Sequence, residues 1–294
     1  MPNFSGPILV PIGFSEQSIV ALEQAVNIAK ITDAELFLLS VVEEPSALQK
    51  MFVNYKDNQD EMKSLVREKL DALQEQHCST MVRDTDCMVS TGVIYDKIVE
   101  VADMIGASLI VMGTDAADKR TKKKMIGSNA SNVVRSAPCP VVTIKGKEHR
   151  QGCDVIILPL DLQKETREKV TTAIQYARFW NAEVRVFSVL ATGDEDVENK
   201  LTRALAQVNT FISDAGIRCS SELISVPQGK MLPQEVLDYS EKTNADLIMV
   251  MIQEESGFSS HFMGSTVQFV IAQSEIPVMS IHPTKKRDTT HYVV

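Results

Sequence analysis

The sequence predicts an α/β fold laid down twice: two tandem doubly wound domains, each around a five-stranded parallel sheet. Two observations predict it, an internal repeat and a regular alternation of apolar runs with helical patterns. Residues 8–14, Ile-Leu-Val-Pro-Ile-Gly-Phe, return at 156–162 as Ile-Ile-Leu-Pro-Leu-Asp-Leu, a displacement of 148 that lays Pro11 on Pro159. The same displacement carries Ala25, Ala29 and Ala34-Glu35 onto Ala173, Ala177 and Ala182-Glu183. It shortens to 138 at Ala107-Ser108-Leu109-Ile110, matched by Ala245-Asp246-Leu247-Ile248. It is 137 at Gly127-Ser128 and Pro140-Val141, matched by Gly264-Ser265 and Pro277-Val278.

Taken in order, the apolar runs of the first half are 8–12, 35–42, 87–90, 109–112 and 141–144. Those of the second are 155–160, 183–190, 222–226, 247–252 and 278–281. Most are continuous and rich in Val, Ile and Leu, as parallel strands covered on both faces are. Helical spacing fills the gaps. Between the second and third runs, residues 47–76 place Leu48, Met51, Phe52, Tyr55, Met62, Leu65, Val66, Leu70 and Leu73 three and four apart. Val197, Leu201, Leu205, Val208, Phe211 and Ile212 make the matching stripe, so each helix is expected to bury one apolar face. Five strands and four helices per half give the doubly wound unit, with right-handed crossovers.

The chain has 294 residues, a length for about two domains. Hydrophobic residues make up 44% and charged residues 23%, which excludes a largely disordered chain. The net charge of −9 argues against a generally basic nucleic-acid surface. Five cysteines at irregular positions contain no Cys-x-x-Cys pair. The N-terminal residues lack signal-peptide character, and no apolar run has the length of a membrane span. A reduced, soluble, cytoplasmic protein is expected. The polar stretch 145–152 marks the junction. The expected boundaries are 1–146 for the first domain, 147–153 for a linker, 154–283 for the second domain and 284–294 for a tail.

Open parallel sheets take ligands at the carboxyl ends of their strands, where the strand order reverses. After the first strand come Gly13 in one half and Asp161 in the other. After the fourth come Gly113-Thr114-Asp115 and Met251-Ile252-Gln253. Beyond these, Gly127-Ser128-Asn129 and Gly264-Ser265-Thr266 each open a helical pattern. Glycine admits a phosphate to the backbone, and the helix terminus attracts an anion. Alone the pair is a weak signal that an ordinary N-cap serine explains more simply, and both readings stay open.

Pro11 with Phe14-Ser15-Glu16, Leu109-Ile110-Val111-Met112-Gly113-Thr114, Gly127-Ser128-Asn129 and Ala137-Pro138-Cys139-Pro140-Val141 together resemble the universal stress protein family. Leu158-Pro159-Leu160-Asp161, Ala245-Asp246-Leu247-Ile248, Gly264-Ser265 and Ile276-Pro277-Val278 extend the resemblance, more thinly, over the second half. The chain thus resembles a tandem member. The resemblance implies the strand order 3-2-1-4-5 in each unit, as in adenine-nucleotide-hydrolase-like folds, and pairing of two units through their fifth strands. It implies a division into ATP binders and non-binders. Binders carry an Asp after strand one and a Gly-x-x-Gly loop leading to Gly-Ser/Thr after strand four. The Asp and the end of strand two flank the adenosine, and the glycine loop holds ribose and phosphates.

Carried over residue by residue, the candidates in the first half are Val41, Gly113, Gly127, Ser128 and Asn129. Those in the second are Asp161, Val189, Gly264, Ser265 and Thr266. Both halves depart from the pattern. The first has Gly13 for the Asp, Ala116 for the second glycine and a loop one residue longer. The second has Met251 and Glu254 for the two glycines, where side chains are expected to crowd a phosphate and Glu254-Glu255 to repel it. ATP with Mg²⁺ is the cofactor the resemblance admits, and neither half carries a complete site for it.

Lys119, Arg120, Lys122, Lys123 and Lys124 put five basic residues within the first half's would-be phosphate loop. They read either as an anion grip or as a solvated loop; no interleaved aromatic supports base stacking. His77, Cys78 and Cys87 lack zinc-site spacing, so no metal is expected. No nucleotide-binding, zinc-protease or hydrolase motif appears. His149, His282 and His291 fall in the linker or tail, so no catalytic residue is assigned. The leading expectation is a non-catalytic stress-response scaffold with degenerate nucleotide sites, acting through unidentified protein partners. An ATP-binding switch with one working half, and an anion-binding adaptor using 119–124, stand beside it. The two halves are expected to pair within the chain through 141–144 and 278–281, leaving room for a homodimer of whole chains.

Overall fold

A computed structural model describes residues 5–44, 55–78, 84–114, 126–145, 152–160, 166–191, 193–227, 232–252 and 264–282. The first half runs β1 (Ile8–Pro11), α1 (Glu16–Thr32), β2 (Leu36–Val42), α2 (Tyr55–Cys78), β3 (Thr85–Thr91), α3 (Ile94–Met104), β4 (Leu109–Gly113), α4 (Ser128–Ser136) and β5 (Val141–Ile144). The second repeats it as β6 (Val155–Pro159), α5 (Thr166–Trp180), β7 (Glu183–Leu190), α6 (Glu195–Asp214), β8 (Cys219–Ser225), α7 (Leu232–Lys242), β9 (Leu247–Met251), α8 (Ser265–Gln273) and β10 (Val278–Ile281).

All these strands form one sheet in the order β3-β2-β1-β4-β5-β10-β9-β6-β7-β8. Each half keeps the order 3-2-1-4-5. The halves meet where β5 and β10 pair antiparallel, with Met279 opposite Val142, while the other pairings are parallel. At this seam the Thr143 hydroxyl donates to the Val278 carbonyl at 3.2 Å.

The switch point of each half has a covalent cause. β1 stays paired with β2 as far as Pro11 but with β4 only at Ile8↔Leu109 and Leu9↔Ile110. β6 likewise follows β7 to Pro159 and leaves β9 after Ile157↔Ile248. Proline has no N–H to extend a ladder, so β1 parts from β4, and β6 from β9, at equivalent places. A crevice opens there in the first half.

Two apolar layers cover the sheet. One holds residues of α1, α2, α5 and α6, the other residues of α3, α4, α7 and α8, and each draws on both halves. The core therefore runs through the seam. Cys153, placed in the linker by sequence, is buried in the first layer. His282, placed in the tail, directly follows β10 and is half-buried.

Two packing expectations fail at the periphery. β3 and β8 are edge strands and neither holds a fully buried residue. The apolar stripe of α2 buries Leu70, but Met62 and Leu65 are each 51% exposed; residues 47–54 of that stripe lie outside the described residues. Helicity was legible there from spacing, whereas burial depends on how far the sheet reaches under the helix.

Candidate functional site

The crevice of the first half is a cleft of about 170 Å³ at the carboxyl ends of β1, β2 and β4. Its floor is apolar, from Leu39, Ile94, Ile98 and Met112. Pro11, Ile12 and Gly13 form one side, and Asn129 and Ala130 at the start of α4 form the other. Of the sequence candidates, Val41, Gly113 and Asn129 line it, and Gly127 and Ser128 immediately precede Asn129. The apolar floor was missed by sequence reasoning; its signal was the position of these residues at strand ends and at the start of α3. The volume falls short of the roughly 300 Å³ at which whole drug-sized ligands are enclosed. A ligand larger than a nucleobase therefore extends past the described walls.

Local geometry explains the glycines differently from the family pattern. A Cβ on Gly113 would lie 3.1 Å from the Gln17 backbone carbon, so a side chain there would push α1 away from β4 by a few tenths of an ångström. A Cβ on Gly13 would meet nothing within 4 Å, so the missing carboxylate leaves open space. Beside it Phe14 holds φ 57°, a left-handed conformation that is uncommon for a bulky residue, and the Lys69 ammonium lies 5.9 Å from its ring centre. Ser15 caps α1 by accepting from the Ser18 N–H at 3.2 Å, and the Ser18 hydroxyl donates to the Ser15 carbonyl at 2.8 Å.

The start of α4 has no such side-chain cap. Gly127, not Ser128, is the N-cap residue, and Ser128 is exposed as the first helical residue. The Gly127 N–H donates to the Thr114 carbonyl at 3.3 Å, bringing the two ends of segment 115–125 together. Thr114 is anchored by its own N–H to the Ile144 carbonyl at 3.0 Å. Lys119, Arg120, Lys122, Lys123 and Lys124 lie outside the described residues, as do Asp115 and Ala116. None of the described residues lining the cleft is ionisable.

The second half places its candidates similarly. Gly264 is the N-cap of α8, again without a side-chain cap, followed by Ser265 and Thr266 in the first turn. Val189 stands near the end of β7 and packs partly on the core. Asp161 and Glu254-Glu255 lie outside the described residues. Met251, one of the two residues that replace the loop glycines, is buried in the core layer that holds α5. Ile252 repeats the Thr114 anchor, its N–H donating to the Ile281 carbonyl at 2.8 Å. One residue was missed altogether. Lys169 is buried at the start of α5, and its ammonium donates to the Pro159 carbonyl at 2.6 Å. Its counterpart 148 residues earlier is Ala21, so the repeat itself carried the signal.

Elsewhere, burial pushes the Cys139 thiol up to about 12. Burial, with Asp71 nearby, pushes Cys87 to about 11. Among the described residues no group of three His, Cys, Asp or Glu side chains could hold a metal ion, and no helix is long and apolar enough to cross a membrane.

The sequence model of the Universal stress protein family matches residues 5–145 and 222–282. A universal stress protein of Methanocaldococcus jannaschii is 31% identical over 150 residues, covering 49% of this chain and 84% of its own. A universal stress protein from Archaeoglobus fulgidus DSM 4304 superposes with a TM-score of 0.77 at 23% identity, over 96% of this chain and 98% of its own. A functionally unknown protein from Pseudomonas aeruginosa PAO1 gives 0.67 at 19% identity, over 94% of this chain and 92% of its own. At these identities the two structures speak for the fold alone.

Proposed function

Because this chain belongs to the universal stress protein family, we propose that it is a non-catalytic stress-response protein whose first-half crevice takes an adenine nucleotide as a regulatory ligand, its effect passing through partner proteins. ATP is the first candidate. The observation that carries this reading is the cleft at the β1–β4 switch point, where Val41, Gly113 and Asn129 meet.

The chemistry of the walls supports binding over catalysis. The apolar floor suits a nucleobase, and the helix start without a side-chain cap suits a phosphate. A general acid or base needs an ionisable group within reach of the reacting atoms, and the described lining supplies none. The departure at Gly13 makes binding weak. In this reading residues 1–146 and 154–283 are two domains joined by 147–153, the protein is cytoplasmic, and a homodimer of whole chains is compatible with it.

Calorimetric titration of the full chain with Mg-ATP tests the reading, with Val41→Trp as the blocked control. Saturable binding by the wild type, at least about tenfold weaker in the variant, is expected. Absence of binding at millimolar nucleotide, or equal binding by Val41→Trp, overturns it.

A further inference from the structure

The two ends of the sheet are finished differently. A strand at an edge presents unpaired N–H and C=O groups, which proteins cover or cap to prevent unwanted pairing. On β3 the Asp84 carbonyl accepts from the Leu36 N–H at 3.0 Å. Alternation therefore turns the backbone groups of Thr85, Cys87, Val89 and Thr91 away from β2. α2 caps two of those carbonyls: the Gln74 amide donates to Thr85 at 2.6 Å, and the Arg67 guanidinium to Cys87 at 2.7 Å.

β8 has the same geometry without the caps. The Val184 N–H donates to the Arg218 carbonyl, and the Val226 N–H to the Leu190 carbonyl, each at 2.9 Å. Cys219, Ser221, Leu223 and Ser225 therefore turn their backbone groups away from β7. A displacement of 135 lays Leu70 and Leu73 of α2 on Leu205 and Val208 of α6, and it puts Thr202 and Asn209 where Arg67 and Gln74 stand. The side-chain bonds at β8 run from the Cys219 thiol to the Ser220 carbonyl and from the Ser220 hydroxyl to Glu183. Among the described residues, no side chain is bonded to the outward carbonyls of β8.

The side chains along this edge complement themselves. Arg218, Ser220 and Glu222 share one face and are exposed. We propose that β8 is a dimer edge, where a second copy of the chain adds its own β8 antiparallel and continues the sheet. With the two-fold axis at Ser220, Arg218 of each copy lies opposite Glu222 of the other, and Cys219 and Ser221 exchange their outward N–H and C=O bonds. Opposite charges facing across an antiparallel pair are stabilising. An axis at Ser221 makes no ion pair, and an axis at Glu222 sets like charges against each other. Arg218 already gives an N–H to the Asn181 carbonyl at 2.9 Å, and Glu222 is hydrogen-bonded to Tyr239. Both keep further donors or acceptors for the second copy. The chain uses such a junction once already, where β5 and β10 pair antiparallel.

The test is sedimentation velocity of the full chain as wild type, Glu222→Arg, Arg218→Glu, the two reversals combined, and Ser221→Pro. All three positions are exposed, and Ser221→Pro removes an outward N–H but no ladder bond to β7. The wild type is expected to be dimeric at about 100 μM chain. Each single reversal is expected to raise the dissociation constant about tenfold or more, and the combined reversal to restore it. Ser221→Pro is expected to abolish the dimer. A wild type that stays monomeric at that concentration overturns the proposal, because the edge then serves another strand or none. A dimer that Glu222→Arg and Ser221→Pro both leave intact also overturns it, because the second copy then sits elsewhere. Failure of the combined reversal to regain affinity overturns the register, and the proposal with it.

Discussion

Thr143 and Ser280 occupy equivalent positions on the two seam strands, yet their hydroxyls differ: that of Thr143 donates to the Val278 carbonyl at 3.2 Å, whereas that of Ser280 is buried without a hydrogen-bond partner among the described residues. A net hydrogen bond contributes about 1 kcal/mol, and a buried unsatisfied hydroxyl costs about 1–3 kcal/mol. Thr143→Val is therefore expected to lower stability by about 1 kcal/mol, and Ser280→Ala to raise it by a similar amount. Shifts of the urea midpoint in opposite directions check both. A destabilised Ser280→Ala would mean that its hydroxyl has a partner in solution.

The two glycines at the first crevice separate packing from ligand chemistry. Gly113→Ala forces a methyl to within 3.1 Å of the Gln17 backbone and is expected to cost about 1–3 kcal/mol, as overpacking does. Gly13→Asp meets nothing within 4 Å. It is expected to fold like the wild type and, by restoring the family's carboxylate, to strengthen Mg-ATP binding about tenfold. Thermal denaturation and titration of both variants decide. Equal stability of the two would remove the packing explanation of Gly113.

Burial holds the Cys139 thiol protonated up to about 12, against an ordinary value of 9.0. Its native form is expected to resist iodoacetamide at pH 8.5 and to react on unfolding. The linked effect on stability follows in sign. The unfolded thiol loses its proton near pH 9 and the folded one near 12, so this contribution is full below pH 9 and declines between 9 and 12. Cys139→Ala is expected to flatten that part of the stability profile. An unchanged profile would assign the alkaline loss to other groups.

Much of this architecture was legible in one sequence because duplication printed it twice. Pro11 and Pro159 fixed the ends of equivalent strands, and continuous Val, Ile and Leu runs marked strands with covered faces. What stayed hidden depends on contacts between distant segments. The exposure of Met62 and Leu65 is set by the edge of the sheet, not by helical spacing. Gly113 packs tightly under α1, about a hundred residues away in sequence. Serine after glycine suggested a cap, yet the chain places Gly127 and Gly264 at the caps and turns Ser128 and Ser265 into the first turn. Lys169 belongs to no motif, and only the fold brings its ammonium to the Pro159 carbonyl.

The central claim is one nucleotide per chain, held at the β1–β4 crevice. Native mass spectrometry of the full chain with Mg-ATP tests it most directly. A single bound nucleotide per chain, lost in Val41→Trp, is expected. Two nucleotides per chain, or none where an ATP-binding relative is loaded under the same conditions, would contradict it.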